Sequence, residues 1–167
     1  MIMENINIRN ARKEDAGVIA RIYNPFILES VVTFEELAVT EGEIARRMNE
    51  ITSAGYPYLV AETQNEVAGY AYASQWRSRS AYRYTAESTV YLDPIYAGKG
   101  IGNALYKDLI ERLQTMGIHV VMGVITLPNP PSIALHEKLG FKKTAHFVEV
   151  GYKFGRWLDV GYWQLNL

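Results

Sequence analysis

Cysteine is absent from the 167 residues. That excludes disulfides, thiolate metal sites and a cysteine nucleophile, and leaves the redox compartment open. A charge excess is missing as well. With 17 Lys+Arg against 18 Asp+Glu the formal net charge is -1, so nothing in the total points to a nucleic acid or another polyanion. No apolar run is long enough to cross a bilayer, and the opening Met1–Asn5 has no basic stretch followed by an apolar one. A cytoplasmic protein without a membrane segment is the expectation. Repeats, low-complexity tracts and linkers are lacking too, so residues 1–167 read as a single domain.

What is present is ordinary globular material, 49% hydrophobic and 21% charged, with one oddity. Twelve tyrosines occur, crowded mainly into residues 56 to 106. A side chain with an apolar body and a polar tip suits a wet cleft or an interface.

Ile6 and Ile8 alternate with polar neighbours and predict a short strand. From Glu14, Val18, Ile19, Ile22 and Tyr23 follow helical spacing, and Pro25 is expected to stop that helix. Thr40-Glu41-Gly42-Glu43 is a capping box that opens a second helix, carried by Ile44, Met48 and Ile51 and ending near Gly55. Strands are predicted at Tyr58–Glu62, Val67–Ala73 and Tyr84–Leu92, the first two around Gln64-Asn65 and the third closed by Asp93-Pro94. A glycine-rich loop, Gly98 to Gly102, then runs into a helix with the stripe Ile101, Leu105, Leu109, Leu113 and Met116, stopped by Gly117. His119–Thr126 reads as a strand buried on both faces. Asn129-Pro130 looks like a cap with proline at the first helical position, and that helix ends at Gly140. Phe141–Val150 and Trp157–Leu165 read as closing strands joined through Gly151 and Gly155. The order β-α-α-β-β-β-α-β-α-β-β describes one α/β domain on a mixed sheet.

The loop Ala97-Gly98-Lys99-Gly100-Ile101-Gly102-Asn103 sits where a strand meets an amphipathic helix. First-turn amides there have no backbone acceptor, and the helix dipole adds positive charge. Without Cβ atoms the backbone can close on a phosphate or pyrophosphate, although a glycine-rich turn that only packs the helix on the sheet reads the same way. Two phosphate-binding alternatives fail on spacing. A dinucleotide fingerprint needs G-x-G-x-x-G, whereas the glycines here fall at 98, 100 and 102, and the triphosphatase loop needs Ser or Thr after Gly-Lys, where Gly100 stands.

With Gly100 and Gly102 at the head of a helix, the loop resembles the signature of the GNAT acetyltransferase superfamily, Q/R-x-x-G-x-G/A, with Ala97 in place of Gln or Arg. Leu127-Pro128-Asn129-Pro130-Pro131-Ser132 and Leu135 to Phe141 resemble its second signature. Within the superfamily the chain is most similar to the phosphinothricin and methionine-sulfoximine acetyltransferases. The segments Val32-Thr33-Phe34-Glu35, Trp76 to Tyr82, Thr85 to Tyr91, Gly151-Tyr152-Lys153 and Trp157 to Gln164 carry that similarity across nearly the whole chain.

The resemblance implies a GNAT fold: a mixed, mostly antiparallel central sheet, splayed between two strands and flanked by about four helices. It further implies an acetyl-CoA-dependent N-acetyltransferase acting on the amine of a small amino-acid-like substrate, working as a homodimer without a metal. The diphosphate is expected on Gly98, Lys99, Gly100, Ile101, Gly102 and Asn103. The pantetheine arm is expected on the backbone of Val90, Tyr91 and Leu92 and on Asn129. Other expectations stay open beside it, namely a different amine such as a polyamine or protein N-terminus, or a CoA-binding regulatory domain without turnover.

An amino-acid amine is mostly protonated near neutrality, so transfer needs a base. Glu87 is the candidate: it lies inside a strand among Ala86, Ser88, Thr89 and Val90, where a lone carboxylate is expensive to bury. A surface glutamate paired with Arg83 is the plain alternative, and the resemblance places the family's catalytic glutamate at Glu87. His136 stands where many superfamily members carry a tyrosine acid, and is expected to protonate the leaving thiolate or help orient the substrate, with a helix-surface histidine in water as the plain alternative. Tyr106 is a second acid candidate that more simply reads as packing. Arg77 and Arg79 can bind carboxylate oxygens in pairs, and the resemblance turns them toward a substrate lined by Phe34, Thr85 and Thr89. Tyr152, Trp157, Tyr162 and Trp163 are expected mostly in the core or at a dimer interface.

Overall fold

The structure is a computed structural model and describes residues 6–167. Met1–Asn5, on which the reading of the chain's start rests, lie outside the described residues. The predicted order of elements holds. Strand β1 (Asn7–Asn10) is followed by helices α1 (Ala16–Glu29) and α2 (Glu41–Ser53), then β2 (Tyr58–Thr63), β3 (Glu66–Gln75) and β4 (Thr85–Leu92). Helix α3 (Ile101–Thr115), β5 (Val120–Leu127), α4 (Pro130–Lys138), β6 (Lys142–Lys153) and β7 (Arg156–Asn166) complete the chain.

All seven strands join one sheet in the order β1-β2-β3-β4-β5-β7-β6, and only β4 and β5 run parallel. Alternation along the strands sends side chains to two layers. On one face Tyr58, Val60 and Tyr70 pack with Ile19, Ile22, Ile44 and Met48 of α1 and α2. On the other, Leu59, Ala71 and Ala86 pack with Leu105, Leu109 and Leu113 of α3. The stripe read from the α3 sequence is thus its buried face, except Met116, which is exposed beyond the helix end.

The structure corrects three local expectations. Pro25 does not stop the first helix; α1 runs on to Glu29. A proline removes one backbone donor, and the next turn still buries Ile27 completely, so packing outweighs the lost bond. Asn24 also ties the helix to the following segment, donating to the Val39 carbonyl at 3.0 Å and accepting from the Val39 amide at 2.8 Å. Gly151 is not part of the last connection. It lies within β6 opposite Leu158, and the turn itself is Phe154-Gly155, both at positive φ. His119–Thr126 is not buried throughout, because Val124 is exposed.

That exposure has a topological cause. Strands β4 and β5 pair only from Thr85↔Val120 to Ser88↔Gly123. Beyond those rungs each keeps its outer partner, β4 pairing with β3 as far as Leu92 and β5 with β7 as far as Leu127. The sheet therefore opens as a wedge between residues 89–92 and residues 124–127, and the expected splay is present.

Candidate active site

The wedge gathers the site. Antiparallel neighbours on one face of a sheet stand directly opposite, with Cβ atoms about 4.5–5.5 Å apart. Thr85, Glu87, Thr89 and Tyr91 share the α1/α2 face of β4, with Glu87 opposite Ser74, Thr89 opposite Tyr72 and Tyr91 opposite Tyr70. Ser88, one residue along, points to the other face, where its hydroxyl meets that of Tyr106 on α3.

Glu87 is half-buried and makes no ion pair among the described residues. Its burial pushes the carboxyl above the ordinary glutamate range, and the Arg77 charge nearby pulls it partly back. The alternative of an Arg83 partner fails, since Arg83 stacks 4.6 Å from the Tyr84 ring and donates to the Ser80 carbonyl. Arg77 lies 4.9 Å over the Trp76 ring, itself edge-on to Tyr82. Arg79 caps the short turn Ser80–Tyr82 through its backbone position and is exposed.

At the mouth of the wedge, Gly98 and Gly100 both have positive φ, 76° and 82°, and a Cβ on either would meet nothing within 4 Å. Gly100 is the N-cap of α3, and the first intrahelical bond is Ala104 to the Gly100 carbonyl at 3.1 Å. The amides of Ile101, Gly102 and Asn103 precede that bond and have no acceptor within the helix. Gly102 has a further reason: its Cβ would come 3.0 Å from Leu92 Cδ1, so glycine here lets α3 close on the end of β4. Lys99 places its ammonium 5.2 Å from the Tyr96 ring centre. The loop is thus an open backbone cradle at a positive helix end, which fits a diphosphate. Beyond it, Asn129 caps α4 by accepting from the Ser132 amide at 3.2 Å, which leaves its Nδ2 for a ligand.

His136 is not on the surface. It is 4% exposed, between Tyr106 and Phe141, with ring centres 5.1 and 5.0 Å away. Nδ1 donates to the Ser132 carbonyl at 2.8 Å, so Nε2 is the atom that accepts from Tyr106 at 3.0 Å. Burial lowers its pKa against a smaller raising effect of that carbonyl. Gly123 makes the site possible, because a Cβ there would sit 2.4 Å from His136 Cδ2. Tyr106 is fully buried and joins Ser88 to His136, so it is more than packing.

Sequence reasoning does not find Lys153. It is 1% exposed, and its ammonium donates to the Thr33 carbonyl at 2.8 Å. Beside it the Phe34 ring covers Gly151, where a Cβ would lie 2.2 Å from Phe34 Cζ. Two contacts therefore tie the loop after α1 to β6. A lysine in an alternating strand gives no sign of burial, and only the unusual Gly151-Tyr152-Lys153 spacing hints at it. Among the C-terminal aromatics Trp163 is core, whereas Tyr152 and Trp157 are exposed. No cluster of three metal-ligating side chains occurs among the described residues.

A seven-stranded sheet wedged open at one parallel pair, with a glycine cradle at the wedge and a raised carboxylate beside it, is the arrangement of an acyl-group transferase. The acetyltransferase (GNAT) domain profile matches residues 8–161, and the chain belongs to that family. It is 41% identical to the L-amino acid N-acyltransferase MnaT of Escherichia coli strain K12, over 97% of this chain and 94% of the relative. It is 40% identical to the L-methionine sulfoximine/L-methionine sulfone acetyltransferase of Salmonella typhimurium, over 97% and 95%. The crystal structure of a phosphinothricin acetyltransferase from Sinorhizobium meliloti in complex with acetyl-CoA superposes with a TM-score of 0.93 at 42% identity, covering 97% of this chain and 88% of that one.

Proposed function

We propose that the protein transfers the acetyl group of acetyl-CoA to the α-amine of a small amino acid or analogue, of the kind exemplified by phosphinothricin, methionine sulfoximine and methionine sulfone. The observation that carries this reading is Glu87: a half-buried carboxylate with a raised pKa, one residue from the rung where β4 and β5 part. The names of the relatives support the substrate class.

The Gly98–Asn103 cradle would hold the diphosphate, with the backbone of Val90, Tyr91 and Leu92 and the Asn129 side chain along the pantetheine arm. Bound there, acetyl-CoA supplies an acyl group activated as a thioester. Glu87 takes the proton of the ammonium, directly or through one water, and a pKa above the ordinary carboxylate range brings it nearer to that task. The amides along the unpaired edge of β4 offer donors for the oxygen that becomes negative. Arg77, with Arg79 beside it, binds the substrate carboxylate, and Phe34, Thr85 and Thr89 bound the pocket. His136, whose Nδ1–H is held by the Ser132 carbonyl and whose Nε2 accepts from Tyr106, positions Tyr106 and Ser88 beneath the end of β4, and the departing thiolate takes the proton that the amine nitrogen sheds as the amide forms. A thiol near pKa ~8.5 asks little of such a donor.

The same reading makes the protein a cytoplasmic homodimer with no metal and no nucleic-acid partner. The support is the dependence on acetyl-CoA, the net charge of -1 and the apolar row Val148, Val150, Tyr152 and Trp157 exposed on β6 and β7. A polyamine substrate fits poorly beside Arg77, and a domain without turnover has no use for a carboxylate held at a raised pKa. Thiol release measured against a panel of amino acids and analogues tests the proposal. Acetyl-CoA-dependent release with at least one of them is expected, and none with any of them sinks it.

A further inference from the structure

Residues 30–40 join α1 to α2 without a helix or strand of their own, yet the middle of this strap is tied down on two sides. On one side stands Tyr23 of α1, packed edge-on against Tyr91 of β4 at 4.9 Å. Its hydroxyl donates to Glu35 Oε1 at 2.9 Å and accepts from the Thr33 hydroxyl at 2.7 Å. On the other side the Thr33 carbonyl accepts from Lys153 and the Phe34 ring covers Gly151, both in β6. In the sheet order β4-β5-β7-β6, a segment fastened near Tyr91 and at Lys153 crosses the opening between β4 and β5. It crosses on the face of Glu87, which Tyr91 shares.

One ion pair fixes the middle of the strap. Arg47 of α2 grips Glu35 with both arms of its guanidinium, at 2.7 and 3.0 Å, and sends Nε to Glu43 at 2.7 Å. The Glu35 oxygen that takes one arm also accepts from Tyr23, so α1, α2 and the strap meet at a single carboxylate. Exposed ion pairs add little to a fold, but a bidentate pair inside a network is the exception, and these two side chains are only 33% and 34% exposed. The Arg47 guanidinium holds the Glu35 carboxyl below the ordinary glutamate range against the opposing effect of burial, so the pair is intact at neutral pH. Phe34, the next residue back, is 42% exposed. Its backbone is fixed on both sides while part of its ring stays open to a ligand.

We propose that Arg47 is a positioning residue for the amino-acid substrate: through Glu35 it sets the strap, and with it Phe34, over the wedge. The inference rests on the reading of Glu87 as the base, which puts the substrate amine beneath the strap. Arg47 also borders a cavity of about 200 Å³ together with Ser74, the residue opposite Glu87, so direct contact with the substrate is the rival account. The open donors of that cavity are the Tyr58 and Tyr70 hydroxyls, which make no hydrogen bond with the described residues, whereas the Arg47 guanidinium is committed to two carboxylates. That favours the indirect role.

The test follows acetyl-CoA-dependent thiol release with L-methionine sulfone as the probe. Arg47→Met and Glu35→Gln should each raise the KM for the sulfone about tenfold, with kcat and the KM for acetyl-CoA within about twofold of wild type. Glu43→Gln, which removes the other carboxylate on Arg47 and leaves the strap alone, should move none of the three. In a Phe34→Ala background Arg47→Met should add less than about twofold, because Arg47 works through Phe34. An unchanged sulfone KM in Arg47→Met overturns the proposal and leaves the acetyltransferase intact. A rise of about tenfold on top of Phe34→Ala overturns it in favour of direct contact or a general role in the fold, and so does a Glu43→Gln effect equal to that of Glu35→Gln. Chymotrypsin reads the strap without any turnover. Cleavage after Phe34 or Leu37 should quicken at least about fivefold in Arg47→Met and Glu35→Gln but not in Glu43→Gln. Equal cleavage rates in all of them overturn the proposal whether or not the protein acetylates the sulfone, which separates its failure from that of the acetyltransferase reading.

Discussion

Ser88 and Gly123 form the last rung between β4 and β5, and the polar side chains around that rung go to opposite faces of the sheet. Ser88 reaches down to Tyr106 and His136, for which Gly123 leaves room by having no Cβ. Glu87, one residue before Ser88, turns to the face that packs with α1 and α2. The proposed base and the buried Ser88-Tyr106-His136 chain thus lie on opposite faces of the sheet.

Replacing Glu87 tests the first half of that division. Glu87→Gln is expected to lower kcat at pH 7 by more than about a hundredfold, the usual share of a general base. The wild-type rate should fall as pH drops through a pKa above the ordinary glutamate range, and the variant should lose that acidic limb. Stability moves the other way. A carboxyl whose pKa is raised by burial carries no penalty when protonated, and the penalty grows as pH rises from the unfolded value through the folded one. At pH 7 the neutral amide removes it, so the melting temperature of Glu87→Gln should exceed that of wild type. A variant that is slower but no more stable would show that burial is not what holds the carboxyl up.

The cradle is tested by Gly100→Ala. The position has φ of 82°, and steric room is not the obstacle, since a Cβ there meets nothing within 4 Å. The cost to the fold is backbone strain of about 1 kcal/mol. The larger effect is expected on the ligand, because the methyl group would stand where a phosphate must approach. The KM for acetyl-CoA should rise about tenfold with a smaller change in kcat. An unchanged KM would remove this loop from the diphosphate site.

Much of this is legible in the chain, for identifiable reasons. Thr40 and Glu43 announce α2 because a side-chain cap is a local device, and the cap bond, Glu43 amide to Thr40 hydroxyl at 3.1 Å, is present. The glycine loop is readable because positive φ and missing Cβ atoms are properties of single residues. Pro25 misleads because its effect is local while the burial of Ile27 that overrides it is tertiary. The burial of His136 and Lys153 is not legible for the same reason in reverse: a polar residue at a helical or alternating position says nothing of what will cover it. The crowding of tyrosine within residues 56–106 is plain in the sequence, but which hydroxyls lack a partner depends on how β2, β3 and α2 meet.

Lys153 offers a test of the loop that carries Phe34. Its ammonium is penalised by burial, which depresses its pKa, and it donates to the Thr33 carbonyl. Lys153→Met keeps the stem volume and removes the donor, leaving that carbonyl unpaired at a cost of about 1–2 kcal/mol, partly offset by the charge no longer desolvated. The KM for the amino acid should rise while the KM for acetyl-CoA stays, if the loop borders the substrate as proposed and not the cradle. Equal increases in both would mean that Lys153 supports the fold in general and not the loop in particular.

The proposed homodimer is tested at strand β6. It is an edge strand of 12 residues, and natural edges of that length are normally shortened, charged or covered. Here Phe147, Val148, Val150 and Tyr152 are exposed along it, with Phe154 and Trp157 at the turn. A row of that kind on a chain of net charge -1 is hard to keep in water unless a second surface covers it. A second copy of this chain supplies a matching apolar row by symmetry, without any further component. Sedimentation equilibrium should therefore give twice the 18.9 kDa of one chain. Val150→Lys, which puts a charge in the middle of the row without touching either core layer, should shift the mass to the single chain. A wild-type protein that sediments as one chain at micromolar concentration would leave the row without this explanation.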